Sequence, residues 1–140
     1  MADTTDFERE TQRARQAADR YPCVCCGSRV FEDPPGSSMI CPVCKWEDDI
    51  TQLRWPTLRK GANRASLLEA QQSFLTSGAS EPRFAGSARQ RTDGEEAPSG
   101  WRPIDLARDA FEEEDMQVAP WPPDRTVMYW WTNRFWLREG

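Results

Sequence analysis

Apolar residues occur in short runs along most of the chain, and only residues 61–79 show a clear helical pattern. Ser66 and Glu69 form a capping-box pair, and Gly78 stands where a glycine commonly ends a helix. We therefore predict one helix here. Its apolar face consists of Leu67, Ala70 and Phe74, with Leu68 and Leu75 beside it.

Two short strands are predicted upstream of this helix. The apolar pairs Val30-Phe31 and Met39-Ile40 flank residues 32–38, which contain two prolines and a glycine. Short apolar runs separated by turn-forming residues are typical of a β-hairpin. We therefore expect these two pairs to lie in neighbouring strands.

Two further helices are predicted outside this region. Residues 1–20 carry a capping-box pattern at Thr5 and Glu8, and charges at helical spacing, but few apolar side chains that could pack. The apolar residues between Ile104 and Asp115 also favour a helix. Acidic residues are unfavourable at a helix C-terminus, so this second helix is expected to stop near Phe111.

The remaining segments are rich in small, polar or aromatic residues. Residues 85–100 favour a flexible connection, because glycine, serine and proline recur there. Residues 120–138 hold four of the seven tryptophans and predict a short hairpin that turns at 132–134. The predicted organisation is an N-terminal helix (1–20), a cysteine-rich domain (21–84), a linker (85–100), and a helix with an aromatic-rich extension (101–140).

The composition indicates a small core that needs additional stabilisation. Leu, Ile, Val and Phe make up 21 of 140 residues, which is below the roughly 20 % typical of globular domains. The seven tryptophans and five cysteines nevertheless favour a folded domain, since tryptophan buries a large area and clustered cysteines can bind a stabilising metal ion. We therefore expect a metal-stabilised domain.

The charge and the missing residue types exclude several functional classes. The formal net charge is -5 and the chain has no histidine, so binding to nucleic acid is disfavoured and the commonest general base is absent. A non-enzymatic protein is therefore expected. No apolar run reaches the ~18 residues of a membrane span, and the charged N-terminus is unlike a secretory signal. These features predict a cytoplasmic protein.

Four of the five cysteines form two Cys-x-x-Cys pairs, Cys23 with Cys26 and Cys41 with Cys44. Two such pairs at this separation are typical of a tetrahedral zinc site. Four sulfur ligands leave no open position for water, so the predicted role of one Zn²⁺ is structural. An iron–sulfur centre or a dithiol redox pair is the alternative.

Cys25 is the fifth cysteine, and it directly precedes Cys26. Adjacent residues fit one tetrahedron poorly, so Cys25 is expected to pack as a small buried residue beside the metal site. The alternative is a reactive thiol that serves as a redox sensor.

Two segments could contact a partner. Trp46-Glu47-Asp48-Asp49 follows the second cysteine pair and could meet a basic protein, although Trp46 could instead cover the metal site and an aspartate could cap a turn. Trp130 and Trp131 belong to the aromatic extension, which could bind a protein or complete the deficient core. A third use of the extension, stacking of nucleic-acid bases, would involve Arg125, Arg134 and Arg138.

Several separated motifs, in the same order, give the chain a specific resemblance to a known family. These motifs are Tyr21-Pro22-Cys23-Val24-Cys25-Cys26-Gly27, Pro34-Pro35-Gly36-Ser37, Ile40-Cys41-Pro42-Val43-Cys44-Lys45-Trp46-Glu47-Asp48-Asp49, Gly61-Ala62-Asn63, Ser66-Leu67, Glu69-Ala70, Phe74 and Gly78-Ala79. The chain resembles the cysteine-rich CPCC proteins. Val24 departs from the proline that the family name implies, which affects the rigidity of the first turn but not the ligands.

The resemblance implies a small zinc-bound domain, and some members of the family lie in bacterial toxin–immunity neighbourhoods. Together with the residue patterns, it predicts an α+β fold, a zinc-ribbon-like domain with flanking helices and a Trp-rich C-terminal extension. The expected function is a zinc-stabilised protein-binding module of immunity or antitoxin type. A nucleic-acid-binding zinc ribbon and a thiol redox sensor that uses Cys25 are the alternatives.

Overall fold

The computed structural model describes residues 20–114 and 116–137. Among them, all five cysteines belong to one apolar cluster to which both the cysteine-rich region and the aromatic extension contribute. The helix expected over residues 1–20 lies outside the described residues, except for Arg20. No helix in the described ranges is long and apolar enough to span a membrane.

The sheet is a two-stranded antiparallel ribbon of β1 (Tyr21–Pro22) and β2 (Arg29–Phe31). The predicted pairing of Val30-Phe31 with Met39-Ile40 is wrong. Each Cys-x-x-Cys turn reverses the chain, so the residues before a turn pair with the residues after the same turn. Accordingly, β1 and β2 enclose the first cysteine pair, and an isolated bridge between Ile40 and Glu47 encloses the second.

Two α-helices follow the cysteine-rich turns. Helix α1 (Ile50–Arg54) was not predicted. Asp49 caps its N-terminus, because the Asp49 carboxylate accepts from the Thr51 N–H at 2.8 Å. Helix α2 (Leu67–Ser77) is the predicted helix. Both halves of its capping box are present, and Gly78 ends it with φ +76.

The C-terminal region lacks the predicted helix and hairpin. Residues 104–114 form turns and irregular backbone instead of a helix. The reason is tertiary pairing: Asp109 binds Arg102, and Glu112 binds Arg54, which is 58 residues away in sequence. The expected hairpin is replaced by consecutive turns after a short 3₁₀ helix, Arg125–Met128; another 3₁₀ helix covers Pro82–Phe84.

The aromatic extension contributes directly to the core. Trp130 is fully buried, and Met128, Tyr129 and Phe135 are buried in the same cluster as the cysteines. The Trp130 indole N–H also donates to the Arg102 carbonyl at 3.1 Å. This part of the extension therefore supplies the apolar area that the composition lacks, as one of the three sequence-based interpretations expected.

The side chain of Arg54 joins the extension to helix α1. Its guanidinium forms a bidentate ion pair with Glu112, and both side chains are almost completely buried. Three indole rings surround the guanidinium. The distance from Cζ of Arg54 to the ring centroid is 5.3 Å for Trp55, 4.5 Å for Trp121 and 4.7 Å for Trp136. Stacking on aromatic faces partly replaces the water that a buried guanidinium loses.

Candidate metal centre

The four predicted ligands, Cys23, Cys26, Cys41 and Cys44, meet in one buried cluster whose sulfur atoms all lie within 4.8 Å of one another. The Sγ atoms of Cys23 and Cys44 are 3.6 Å apart, and those of Cys26 and Cys41 are 3.8 Å apart. All four cysteines are free thiols.

These distances fit a metal ion rather than disulfides. Four sulfurs about 2.3 Å from a tetrahedral zinc ion would lie about 3.8 Å from each other, whereas a disulfide would require about 2.05 Å. The residue side chains are 0–2 % exposed, so the site is closed to solvent. The arrangement therefore suits a structural metal.

The two cysteine turns share one backbone design. In the first, the Cys23 carbonyl accepts from Gly27 N–H and the Cys23 N–H donates to Ser28. In the second, Cys41 makes the same two bonds with Lys45 and Trp46. Gly27 and Lys45 occupy equivalent positions and both have positive φ, +83 and +72.

Electrostatics favours a cation among these sulfurs. Burial raises the pKa of the Cys23 and Cys44 thiols well above the usual value. Hydrogen bonds from the thiols of Cys23, Cys41 and Cys44, with a smaller contribution from Ser28, lower the pKa of Cys26. Without a positive charge, four thiolates could not coexist in this buried space; a bound divalent ion deprotonates coordinating thiols.

Residues 80–96, which follow α2, form a segment that covers both cysteine turns. Ser80 N–H donates to the Cys44 carbonyl at 2.7 Å, and Arg89 N–H donates to the Val43 carbonyl at 3.1 Å. Nη2 of Arg91 donates to the Cys26 carbonyl. Sequence reasoning missed these contacts, because it treated residues 85–100 as a connection; the flexibility of that segment stays a prediction.

Comparison with known families agrees with this geometry. The family model described as Cysteine-rich CPCC matches residues 21–95, which is more than half of the chain. The chain belongs to the cysteine-rich CPCC family. A comparison with curated proteins finds none that matches the chain.

The CPCC match ends at residue 95, so it includes most of the covering segment. The boundary predicted at residue 84 remains a prediction. Val24, which replaces the expected proline, is completely buried, and the first turn keeps the same backbone bonds as the Pro42-containing second turn.

Cys25 lies beside the four-sulfur cluster of the CPCC domain without belonging to it. The side chain is 2 % exposed, and burial raises the pKa of its thiol. Both features reduce the thiolate fraction and the access that a reactive cysteine needs. A redox role for Cys25 remains an untested prediction with little support from its surroundings.

The Trp46–Asp49 segment is mainly structural in its described contacts. Trp46 and Asp48 are buried, and Oδ2 of Asp48 accepts from the N–H groups of Gly36 and Ser37 at 3.1 and 3.0 Å. Burial raises the pKa of Asp48, although these hydrogen bonds oppose the shift. Only Glu47 and Asp49 of this segment are partly exposed, and Asp49 caps α1.

Asn63 connects this segment to α1, a role that sequence reasoning did not assign. The Asn63 side chain accepts from the Glu47 N–H at 2.9 Å and donates to the Glu47 carbonyl at 2.8 Å. It also donates to Gln52 Oε1 at 2.9 Å. Asn63 therefore fixes the chain that leaves the second cysteine turn.

The predicted partner residues in the extension differ in accessibility. Trp130 is buried, whereas Trp131 is half-buried and packs edge-on against Trp101 with ring centroids 4.7 Å apart. Arg134 pairs with Asp124, and Arg125 donates to the Pro35 carbonyl. Arg138, the third residue of the nucleic-acid alternative, lies outside the described residues.

Proposed function

We propose that this CPCC protein is a zinc-stabilised, non-enzymatic module that binds a basic protein, with an immunity or antitoxin role as its most specific form. The observation that carries the proposal is the closed four-sulfur cluster, in which every candidate ligand is buried. A site without an open position stabilises a fold and does not activate a substrate.

Zinc fits this donor set well. Soft thiolate ligands in tetrahedral arrangement favour Zn²⁺ among the common ions. When bound, the ion would supply folding free energy, because a preformed site rarely exists in an unfolded chain. Cys23, Cys26, Cys41 and Cys44 would hold it.

The surface next to the second cysteine turn is the proposed partner site. Met39 and Ile40 are 59 % and 56 % exposed, although both are large apolar residues. They border a groove of about 400 Å³ that is also lined by Val30, Phe31 and Pro42. An apolar centre of this kind, with polar residues at its margin, is typical of protein interfaces.

The charges around the groove favour a basic partner. Glu32 and Asp33 line it, and Glu47 forms the backbone bridge with Ile40. Of the lining residues that the structure describes, Arg20 alone is basic. With the net charge of -5, this acidic margin would attract a positively charged protein and speed association at low salt.

The experiment compares wild-type protein, Ile40→Asp and Leu75→Asp as affinity baits, with quantitative mass spectrometry at low and physiological salt. Leu75 is 64 % exposed on α2 and serves as the matched control. We expect a basic protein that is retained by wild type and Leu75→Asp and lost by Ile40→Asp. Identical recovery by all three baits, or recovery of nucleic acid in place of protein, would contradict the proposed function.

A further inference from the structure

The segment 80–96 passes over both cysteine turns, and its Arg91 side chain contacts Ser28 and the backbone of Cys26. The buried Ser28 hydroxyl lies 3.1 Å from Sγ of Cys26. Nε of Arg91 donates to the same hydroxyl oxygen at 2.8 Å. The Cys26 thiol donates to this hydroxyl oxygen. A metal-bound thiolate has no proton to donate, so it would instead accept from the Ser28 O–H.

A second contact of Arg91 fixes the backbone of Cys26. Its Nη2 donates to the Cys26 carbonyl at 2.5 Å. One guanidinium therefore restrains the carbonyl of Cys26 directly and the sulfur of Cys26 through Ser28. Arg91 itself is exposed, so it lies between Cys26 and the solvent.

Arg91 also places a positive charge beside Cys26, although this charge interacts with the exposed carboxylate of Glu96 as well. Four thiolates around a divalent ion leave two net negative charges, which are costly when buried unless positive groups lie nearby. Arg89 also approaches the cluster but is paired with the buried carboxylate of Glu95 at 2.8 Å. Among the ion pairs within residues 20–114 and 116–137, none includes Arg91.

We propose that Arg91 is a positioning residue which, with Ser28, holds the Cys26 corner of the metal site closed and slows both metal release and attack on Cys26. The inference rests on the metal-binding part of the proposed function and is independent of the partner. Groups that orient metal ligands in this way commonly change metal affinity by about 10–100-fold.

The test uses metal-loaded full-length protein at constant pH and compares wild type with Arg91→Gln, Arg91→Lys and Ser28→Ala. The first readout is the rate of zinc transfer to a chromogenic chelator. We expect transfer to be about tenfold faster in Arg91→Gln and Ser28→Ala, with partial rescue in Arg91→Lys because the charge is retained. Arg83→Gln is the control, since Arg83 contacts Glu81 and Phe84 but not the cysteine turns.

The second readout identifies which cysteine is attacked, by mass spectrometry after brief treatment with N-ethylmaleimide. Arg91→Gln should raise the alkylation rate of Cys26 relative to Cys44, and a general loss of stability would raise both rates together. The double variant Arg91→Gln/Ser28→Ala should show less than the product of the single effects, because both residues act on one sulfur.

Release and alkylation rates equal to those of Arg83→Gln would overturn the role of Arg91. Parallel acceleration at all four cysteines would overturn it as well. If Arg91→Gln does not fold, Ser28→Ala, which removes a single hydroxyl, carries the test alone. Wild-type protein without metal would instead refute the metal-binding part of the proposed function, so the two failures are distinguishable.

Discussion

The indole ring of Trp101 lies against the backbone of Gly27, so close that a Cβ atom at Gly27 would stand 2.6 Å from Cε2 and Nε1 of the ring. Gly27 also has φ +83 and donates the hydrogen bond that closes the first cysteine turn. Trp101 therefore packs directly on the first cysteine turn, and glycine is required at position 27 for two separate reasons.

Gly27→Ala is accordingly expected to lower stability more than Gly78→Ala or Gly86→Ala. Gly78→Ala provides a matched control, because Gly78 has φ +76 but no atom within 4 Å of the added Cβ; Gly86→Ala has neither constraint. Strain at positive φ costs about 1–2 kcal/mol, so thermal unfolding should rank the variants Gly86→Ala, Gly78→Ala and Gly27→Ala in order of increasing loss. Equal losses at Gly27 and Gly78 would show that contact with Trp101 adds nothing.

Trp130→Ala should lower the free energy of unfolding more than Trp121→Ala does. Trp130 is fully buried beside the cysteines, whereas Trp121 is 40 % exposed. Trp→Ala in a core costs about 3–5 kcal/mol, and chemical denaturation of the metal-loaded variants measures the difference. A Trp130→Ala protein as stable as Trp121→Ala would contradict a core role for the extension.

Stability should depend on the ionisation of Glu95 at acidic pH. The ion pair with Arg89 is the main cause that lowers the pKa of Glu95 from 4.5 to about 2. A depressed pKa in the folded state adds stability above the unfolded pKa, and that stability is lost as pH falls from about 4.5 towards 2.

The measurement is the difference in free energy of unfolding between wild type and Glu95→Gln as a function of pH. We expect a constant advantage for wild type between pH 6 and 8, and a shrinking advantage below about pH 4.5. Glu113→Gln is the control, since Glu113 is exposed and its side chain forms no ion pair or hydrogen bond among the described residues. A difference independent of pH would show that the Glu95 charge is unimportant.

Local sequence signals predicted the parts of this fold that depend on neighbouring residues. The capping box of Ser66 and Glu69 and the glycine at position 78 define α2 without help from the rest of the chain. The spacing of the cysteine pairs likewise predicted which four sulfurs converge, because each pair is presented by its own tight turn.

Long-range pairing explains what the sequence did not reveal. The apolar residues after Ile104 favour a helix, but Glu112 instead forms its buried pair with Arg54. The role of Arg91 depends on contacts with Cys26 and Ser28, which are more than 60 residues away. No short-range periodicity encodes such contacts, so they become visible only in the folded chain.

The central claim, that one metal ion is held by four specific cysteines, is tested most directly by native mass spectrometry with elemental analysis of wild type, Cys25→Ser and Cys26→Ser. The account predicts one zinc ion per chain in wild type and in Cys25→Ser, and loss of zinc and of cooperative unfolding in Cys26→Ser. Cys25 lies outside the four-sulfur cluster although it adjoins Cys26 in sequence, so the two substitutions form a matched pair. Wild-type protein without metal, or equal loss of zinc from both variants, would contradict the account.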